Sequence, residues 1–223
     1  MDLIEFWTLC SSNGIVIEKS QIDLFKRYSD DLKYWNGKIN LISRRDEEFL
    51  FEHHFLHSLS CLKYIDLKQK AHCLDVGTGG GLPGIPLSIV RNDLKFTLID
   101  SISKKIKTTE MFAKHLNLRY MRTLDLRIED LNQRRDEQRK YDYIFSRAVA
   151  TIEKIIGWSD KLIKKSGSYI FYKGGDLETE KKEAMELYPN LIIEEKEIDI
   201  VGYNWYKENE KKIVICRFNN DNC

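Results

Sequence analysis

The chain has 223 residues, 42% hydrophobic and 32% charged, with a formal net charge of +1; that suffices for one large domain, or one with a small appendage, without metal or disulfide staples. Five cysteines without a C-x-x-C pair argue against a disulfide framework and for a reducing cytoplasm, and neither a signal peptide nor an apolar run near about 18 residues is visible, so no membrane span is expected. The balance of 36 Lys and Arg against 35 Asp and Glu conceals segregation, since Ser101 to Lys140 holds 11 basic and 6 acidic residues whereas Asp176 to Ile200 holds 3 and 9.

Residues 1–70 read as a helical cap and residues 71–223 as the main domain. A helix from Leu3 to Ser12 stops before Gly14. A second opens after Ser20, carries Phe25, Tyr28, Leu32 and Trp35 at helical spacing, and ends at Gly37. A third is expected from Asp46 to Tyr64, with Glu47 and Glu48 near its positive end. His53 and His57 would share a face of it, but no third ligand stands at a telling spacing, so no metal site is expected. No Pro- or Gly-rich linker precedes Ala71, which implies a cap packed on the main domain.

From Ala71 strands and helices alternate. Strand Cys73 to Val76 enters a glycine turn, and a helix should open just after Leu82 with Pro83 and Pro86 in its first turn. Strand Phe96 to Ile99, helix Ser103 to Leu116, and strands Tyr120 to Thr123 and Tyr141 to Phe145 follow. Helix Ile152 to Lys164, strand Ser168 to Tyr172 and helix Leu177 to Leu187 come next. Strands Leu191 to Val201 and Lys211 to Phe218 flank a polar connection, Tyr203 to Glu210, and should pair as an antiparallel hairpin; Asn219 to Cys223 reads as disordered. The fold class is α/β, a mostly parallel Rossmann-like sheet closed by that hairpin.

The ligand signal lies in the turn. Reading from Gly77 the pattern is G-x-G-x-G with Leu82 where a dinucleotide fingerprint wants its last glycine, so that reading is weak. Asp75, near the end of its strand, would repel a pyrophosphate but attract a cation. Asp100 ends the next strand, where a ribose-hydroxyl acceptor belongs. Gly79 would let backbone approach a ligand closely. A bare strand-to-helix turn is the competing interpretation.

Asp75-Val76-Gly77 resembles motif I of the class I S-adenosylmethionine methyltransferases. Further stretches resemble the bacterial small-subunit ribosomal RNA guanine-N7 methyltransferase family: D-V-G-T-G-G-G-L-P-G-I-P from Asp75, D-S-x-x-K-K from Asp100, Arg127 to Asp130, Phe145 to Ala150, Y-K-G from Tyr172, and Asn40-Leu41 and His54 to Leu59 in the cap. His57 stands where that family is expected to have an aspartate, and Gly80 and Ser166 are milder departures. The resemblance implies S-adenosylmethionine as cofactor, Gly77 and Leu82 in contact with it, Ile128 and Glu129 flanking its adenine, and Arg147 beside the methionine end or the substrate. An ion pair between Arg147 and a strand-end acid is the bland alternative.

The implied partner is ribosomal RNA or the small ribosomal subunit particle, acted on by a monomer. Guanine N7 carries an in-plane lone pair, so no general base is expected. Lys104, Lys105, Lys107, Arg134, Arg135, Arg139 and Lys173 are candidates for phosphate contact, with a merely solvated basic face as the alternative.

Overall fold

The computed structural model describes residues 1–219. Helix α1 (Leu3–Ser12) starts on a capping box: the Asp2 carboxylate accepts from the amides of Ile4 and Glu5, and the Glu5 carboxylate accepts from the Asp2 amide. Helix α2 (Lys19–Asn36) buries Ile22, Phe25, Tyr28 and Leu32 along one face, as their spacing requires. Phe6, Phe25, Tyr28 and Phe55 form an aromatic cluster continuous with the core on one side of the sheet, so the cap is packed and not tethered.

The third helix expected over Asp46 to Tyr64 is not regular. Arg44–Phe49 forms 3-10 turns, Leu50–Leu56 winds as a π-helix, α3 is only His57–Leu59, and Ser60–Lys63 is again 3-10. Hydroxyls from outside the segment tie it down: Tyr206 donates to the Glu52 carbonyl in the π-helical turn and Tyr172 to the Ser58 carbonyl at 2.6 Å.

The sheet comprises β1 (His72–Val76), β2 (Lys95–Asp100), β3 (Met121–Asp125), β4 (Tyr141–Arg147), β5 (Ile163–Gly174), β6 (Leu191–Glu197) and β7 (Lys211–Phe218), in the order β3-β2-β1-β4-β5-β7-β6. The first five are parallel, and β7 pairs antiparallel with both β5 and β6. β1 is buried on both faces: Cys73 joins the core shared with the cap, and Leu74 and Val76 join the core under the opposite helices.

Helix α4 (Gly84–Val90) follows β1, and α5 (Ser103–His115) and α6 (Ile128–Gln133) follow β2 and β3. Pro83 caps α4 from outside, so the helix opens one residue later than expected, with Pro86 in its first turn. Helix α7 (Ile152–Ser159) is shorter than expected, because β5 begins at Ile163 and not Ser168. Ile152, Ile155, Ile156, Leu162 and Ile163 keep a helical rhythm and are all buried, but the Tyr141 amide donates to the Leu162 carbonyl and draws the chain into the sheet.

After α8 (Glu178–Leu187), β6 ends at Glu197, leaving Ile198 and Ile200 buried against the cap instead of extending the strand. The polar connection contains α9 (Trp205–Glu208), whose Tyr206 is fully buried. The disorder expected for 219–223 lies outside the described residues except for Asn219, whose amide donates to the Asn190 carbonyl. Among the described residues no helix is long and apolar enough to cross a membrane.

This topology divides the basic segment. Lys104 and Lys105 open α5 at the carboxyl ends of the strands, whereas α6 runs back across the sheet and delivers Arg134, Arg135 and Arg139 to the amino ends. The phosphate-contact candidates of this segment therefore fall into two separate groups of cations.

Candidate cofactor and substrate site

The glycine turn is tied down from every side. Asp100 accepts from the Gly79 amide at 3.0 Å, Thr109 donates to the Gly79 carbonyl at 2.8 Å, and Tyr28 of the cap donates to the Gly80 carbonyl at 2.8 Å. Gly77 and Gly79 have φ of 65° and 58°, the left-handed region that glycine enters without a Cβ penalty. A Cβ on Gly77 would also lie 2.6 Å from Cγ2 of Val149.

Asp75 is not in the cavity. It is fully buried under the turn, where Oδ2 accepts from the Thr78 hydroxyl at 2.6 Å and the Gly84 amide at 3.0 Å, joining the turn to α4. Its Oδ1 has no partner, and burial raises the carboxyl to about 7. The cation-attracting role expected for it is replaced by a scaffolding one, because Gly84 lets α4 press directly onto this carboxylate and Leu98.

Two cavities meet at Gly77 and Val149. The smaller, about 210 Å³, is lined by Gly77, Asp100, Ile128, Glu129 and the Trp158 ring among others. Asp100 accepts from the Gly79 and Ile102 amides, yet a carboxylate has lone pairs for further donors, and it stands at this cavity. The larger, about 790 Å³, receives Gly77, Gly79, Leu82, Lys105, Arg147 and Lys173 from the main domain. The cap supplies Leu41, His53, His54 and His57, and the β6–β7 connection supplies Trp205.

Arg147, at the end of β4, has no carboxylate partner among the described residues, so the bland ion pair does not form. Its guanidinium donates to Nδ1 of His54 at 3.0 Å. Burial and the Arg147 charge lower the His54 imidazole to about 2, and burial lowers His57 well below its ordinary range. Arg147 is thus held among neutral groups.

Lys173 is committed: it pairs with Glu180 at 2.6 Å and donates to the Ala150 carbonyl. Arg139 donates to the carbonyls of Asp160 and Ile163, so it braces the chain between α7 and β5. Lys104 and Lys107 are exposed on α5 and line neither cavity. His54, Val149 and Trp205 escape a reading for site residues because their roles depend on meetings with Arg147, Gly77 and His53 that spacing does not reveal; the only local signal was that His54 and Val149 fall inside the quoted motifs.

A parallel sheet with an antiparallel seventh strand inserted before the sixth, a glycine turn after the first strand and an acid ending the second define a class I methyltransferase fold. Solved structures agree on that fold: a SAM-dependent O-methyltransferase from Thermotoga maritima (14% identity, TM-score 0.54, 86% of this chain and 73% of that one) and a ribosomal protein L11 methylase from Lactobacillus delbrueckii subsp. bulgaricus (15%, 0.54, 74% and 77%). Within that class the chain belongs to the rRNA small subunit methyltransferase G family, GidB, whose model matches residues 21–209. Relatives called ribosomal RNA small subunit methyltransferase G include those of Chlorobium phaeobacteroides, 34% identical over 96% of both chains, and Cytophaga hutchinsonii, 42% identical over 74% of this chain and 82% of that one.

Proposed function

We propose that the protein transfers a methyl group from S-adenosylmethionine to N7 of a guanine in small-subunit ribosomal RNA, acting as a cytoplasmic monomer on the RNA or the small ribosomal particle. The observation that carries this reading is the pair of cavities joined at Gly77 and Val149, one with a strand-end carboxylate and the other with an uncompensated arginine. An adenosine-sized group suits the first and an amino-acid end with its methyl the second. When bound, the donor supplies a methyl on a positively charged sulfur.

In this reading Asp100 accepts from ribose hydroxyls, backbone at Ile128 and Glu129 meets the adenine edge, and Leu82 is an apolar wall. Guanine N7 needs no deprotonation, so this chain supplies placement and exclusion of water. Methyl transfer moves positive charge onto the base, and a cation beside that base would oppose it; Arg147 therefore suits the carboxylate of the amino-acid end. Residues 71–223 hold the donor, while the cap, residues 1–70, roofs the larger cavity and orients Arg147 through His54. Lys105 at the rim and Lys104 beside it are the phosphate contacts nearest the target.

Small subunits lacking the modification, incubated with the protein and methyl-labelled donor, should yield labelled 7-methylguanosine on nucleoside mass analysis. Label in a different nucleoside, or in none, would overturn the assignment.

A further inference from the structure

At the opposite end of the strands lies a further concavity, about 860 Å³, between α2 and the loops that enter β1, β2 and β3. Four cations line it: Arg27 from α2, Lys70 before β1, Lys95 at the start of β2 and Arg119 before β3. None of the four has an ion-pair or side-chain hydrogen-bond partner among the described residues. Its acids are Glu18 and Asp93; Asp93 is already paired with Arg91 at 2.8 Å and accepts from the Lys70 amide. Beside Arg119, the ring of Tyr120 is 55% exposed without any described polar partner.

Four cations converge on a groove in which Asp93 is already paired with Arg91 and Glu18 is the other acid, so the excess is positive. Cations and an exposed aromatic ring are the chemistry that grips phosphates and stacks on an unpaired base. The groove opens at the amino ends of the strands and the methyl-transfer site at their carboxyl ends, separated by a strand length of roughly 17–20 Å. No small ligand reaches both, whereas a folded RNA does.

We propose that this groove binds the sugar-phosphate backbone of ribosomal RNA at a segment remote from the target guanine, so that the enzyme holds its substrate at two places. The inference rests on the RNA reading above and deepens it: the groove supplies affinity for a large RNA, and the cavity near Arg147 supplies the chemistry.

The test is a variant carrying Arg27→Gln, Lys70→Gln, Lys95→Gln and Arg119→Gln, compared with wild type on full-length small-subunit RNA and on a short hairpin containing the target guanine. On the long RNA, affinity should fall at least tenfold at low salt, and the log–log salt slope should drop by about 3 to 4, each of the four lost phosphate contacts removing roughly 0.7 to 0.9. Methylation of the short hairpin and donor affinity should stay at wild-type values. Unchanged affinity and slope on the long RNA would overturn the proposal, as would equal losses on both RNAs. A Tyr120→Ala variant should weaken the long-RNA complex without changing the slope; no weakening would remove the stacking contact. Wild-type protein that methylates neither these RNAs nor small subunits lacking the modification would sink the substrate assignment itself, a result distinct from a silent groove.

Discussion

One guanidinium nitrogen of Arg147 lies 3.0 Å from Nδ1 of His54, a residue of the cap 93 positions earlier in the chain. A guanidinium only donates, so Nδ1 accepts and the imidazole carries its proton on Nε2. His54 is therefore a neutral hinge-pin for the arginine, and the cap and the sheet meet in that bond.

Replacing His54 by Phe keeps a ring in the buried space but removes the acceptor. A hydrogen bond to a charged group is worth about 1.5–3 kcal/mol, so methyl transfer at saturating RNA should fall roughly ten- to a hundredfold as Arg147 loses its orientation. His54→Asn places an oxygen near the Nδ1 position and should recover most of the rate. Equal rates for the Phe and Asn variants would show that Arg147 is positioned by other groups.

Asp100 holds the turn through the Gly79 and Ile102 amides, and in the proposed function it also receives the ribose hydroxyls of the donor. Asp100→Ala should weaken donor binding by about 1.5–3 kcal/mol, measured by titration calorimetry, and should lower the melting temperature because the Gly79 and Ile102 amides lose their acceptor. Weakened stability with unchanged donor affinity would confine Asp100 to the turn.

Much of this arrangement was legible in the sequence because it is local. The turn, the order of strands and helices, and the acid ending β2 follow from periodicity and glycine placement within a few residues. What escaped involves distant partners: the cap's third helix breaks into 3-10, π and α turns where Tyr172 and Tyr206 hydroxyls reach its carbonyls, and α7 stops early where Tyr141 recruits Leu162. Asp75 was misplaced by the same blindness, since only the approach of Gly84 decides that its carboxylate faces inward. The basic segment looked like one patch because sequence distance hides that α6 reverses direction across the sheet.

Acid should destabilise the fold through the two buried imidazoles. His54 and His57 are held below their ordinary value of 6.5, so below that pH the unfolded chain takes up protons that the native site refuses. Each such group lowers stability by up to about 1.4 kcal/mol per pH unit as pH falls. Asp75 acts with the opposite sign: raised from 3.8 to about 7, it favours the fold at lower pH and loses that contribution as pH rises toward 7. The two imidazoles outweigh one carboxyl between pH 5 and 6.5. His57 packs edge-on against Tyr172 with Nε2 unpartnered, so His57→Phe should raise the melting temperature and flatten its slope with pH in that window. A variant with the wild-type slope would mean that His57 is protonated normally in the native protein.

The junction between the cavities can be tested by a double-mutant cycle. Gly77 sits at φ 65°, where an alanine costs about 1–2 kcal/mol, and the added Cβ would press on Val149, a branched side chain with little freedom to turn away. Val149 is 41% exposed and lines both cavities, so any displacement of it changes the passage that the donor would occupy in the proposed function. Gly77→Ala alone should weaken donor binding through both backbone strain and the displaced Val149. Val149→Ala alone should change affinity little, because it only widens the junction. Combined, the second change removes the clash and leaves the backbone cost, so the double variant should bind more tightly than Gly77→Ala by about 1 kcal/mol, a coupling well within the range for residues in contact. Calorimetry with S-adenosylmethionine on the four proteins reads that coupling directly. Strict additivity would mean that Val149 does not confine the donor at Gly77, and the two cavities would then have to be treated as separate sites.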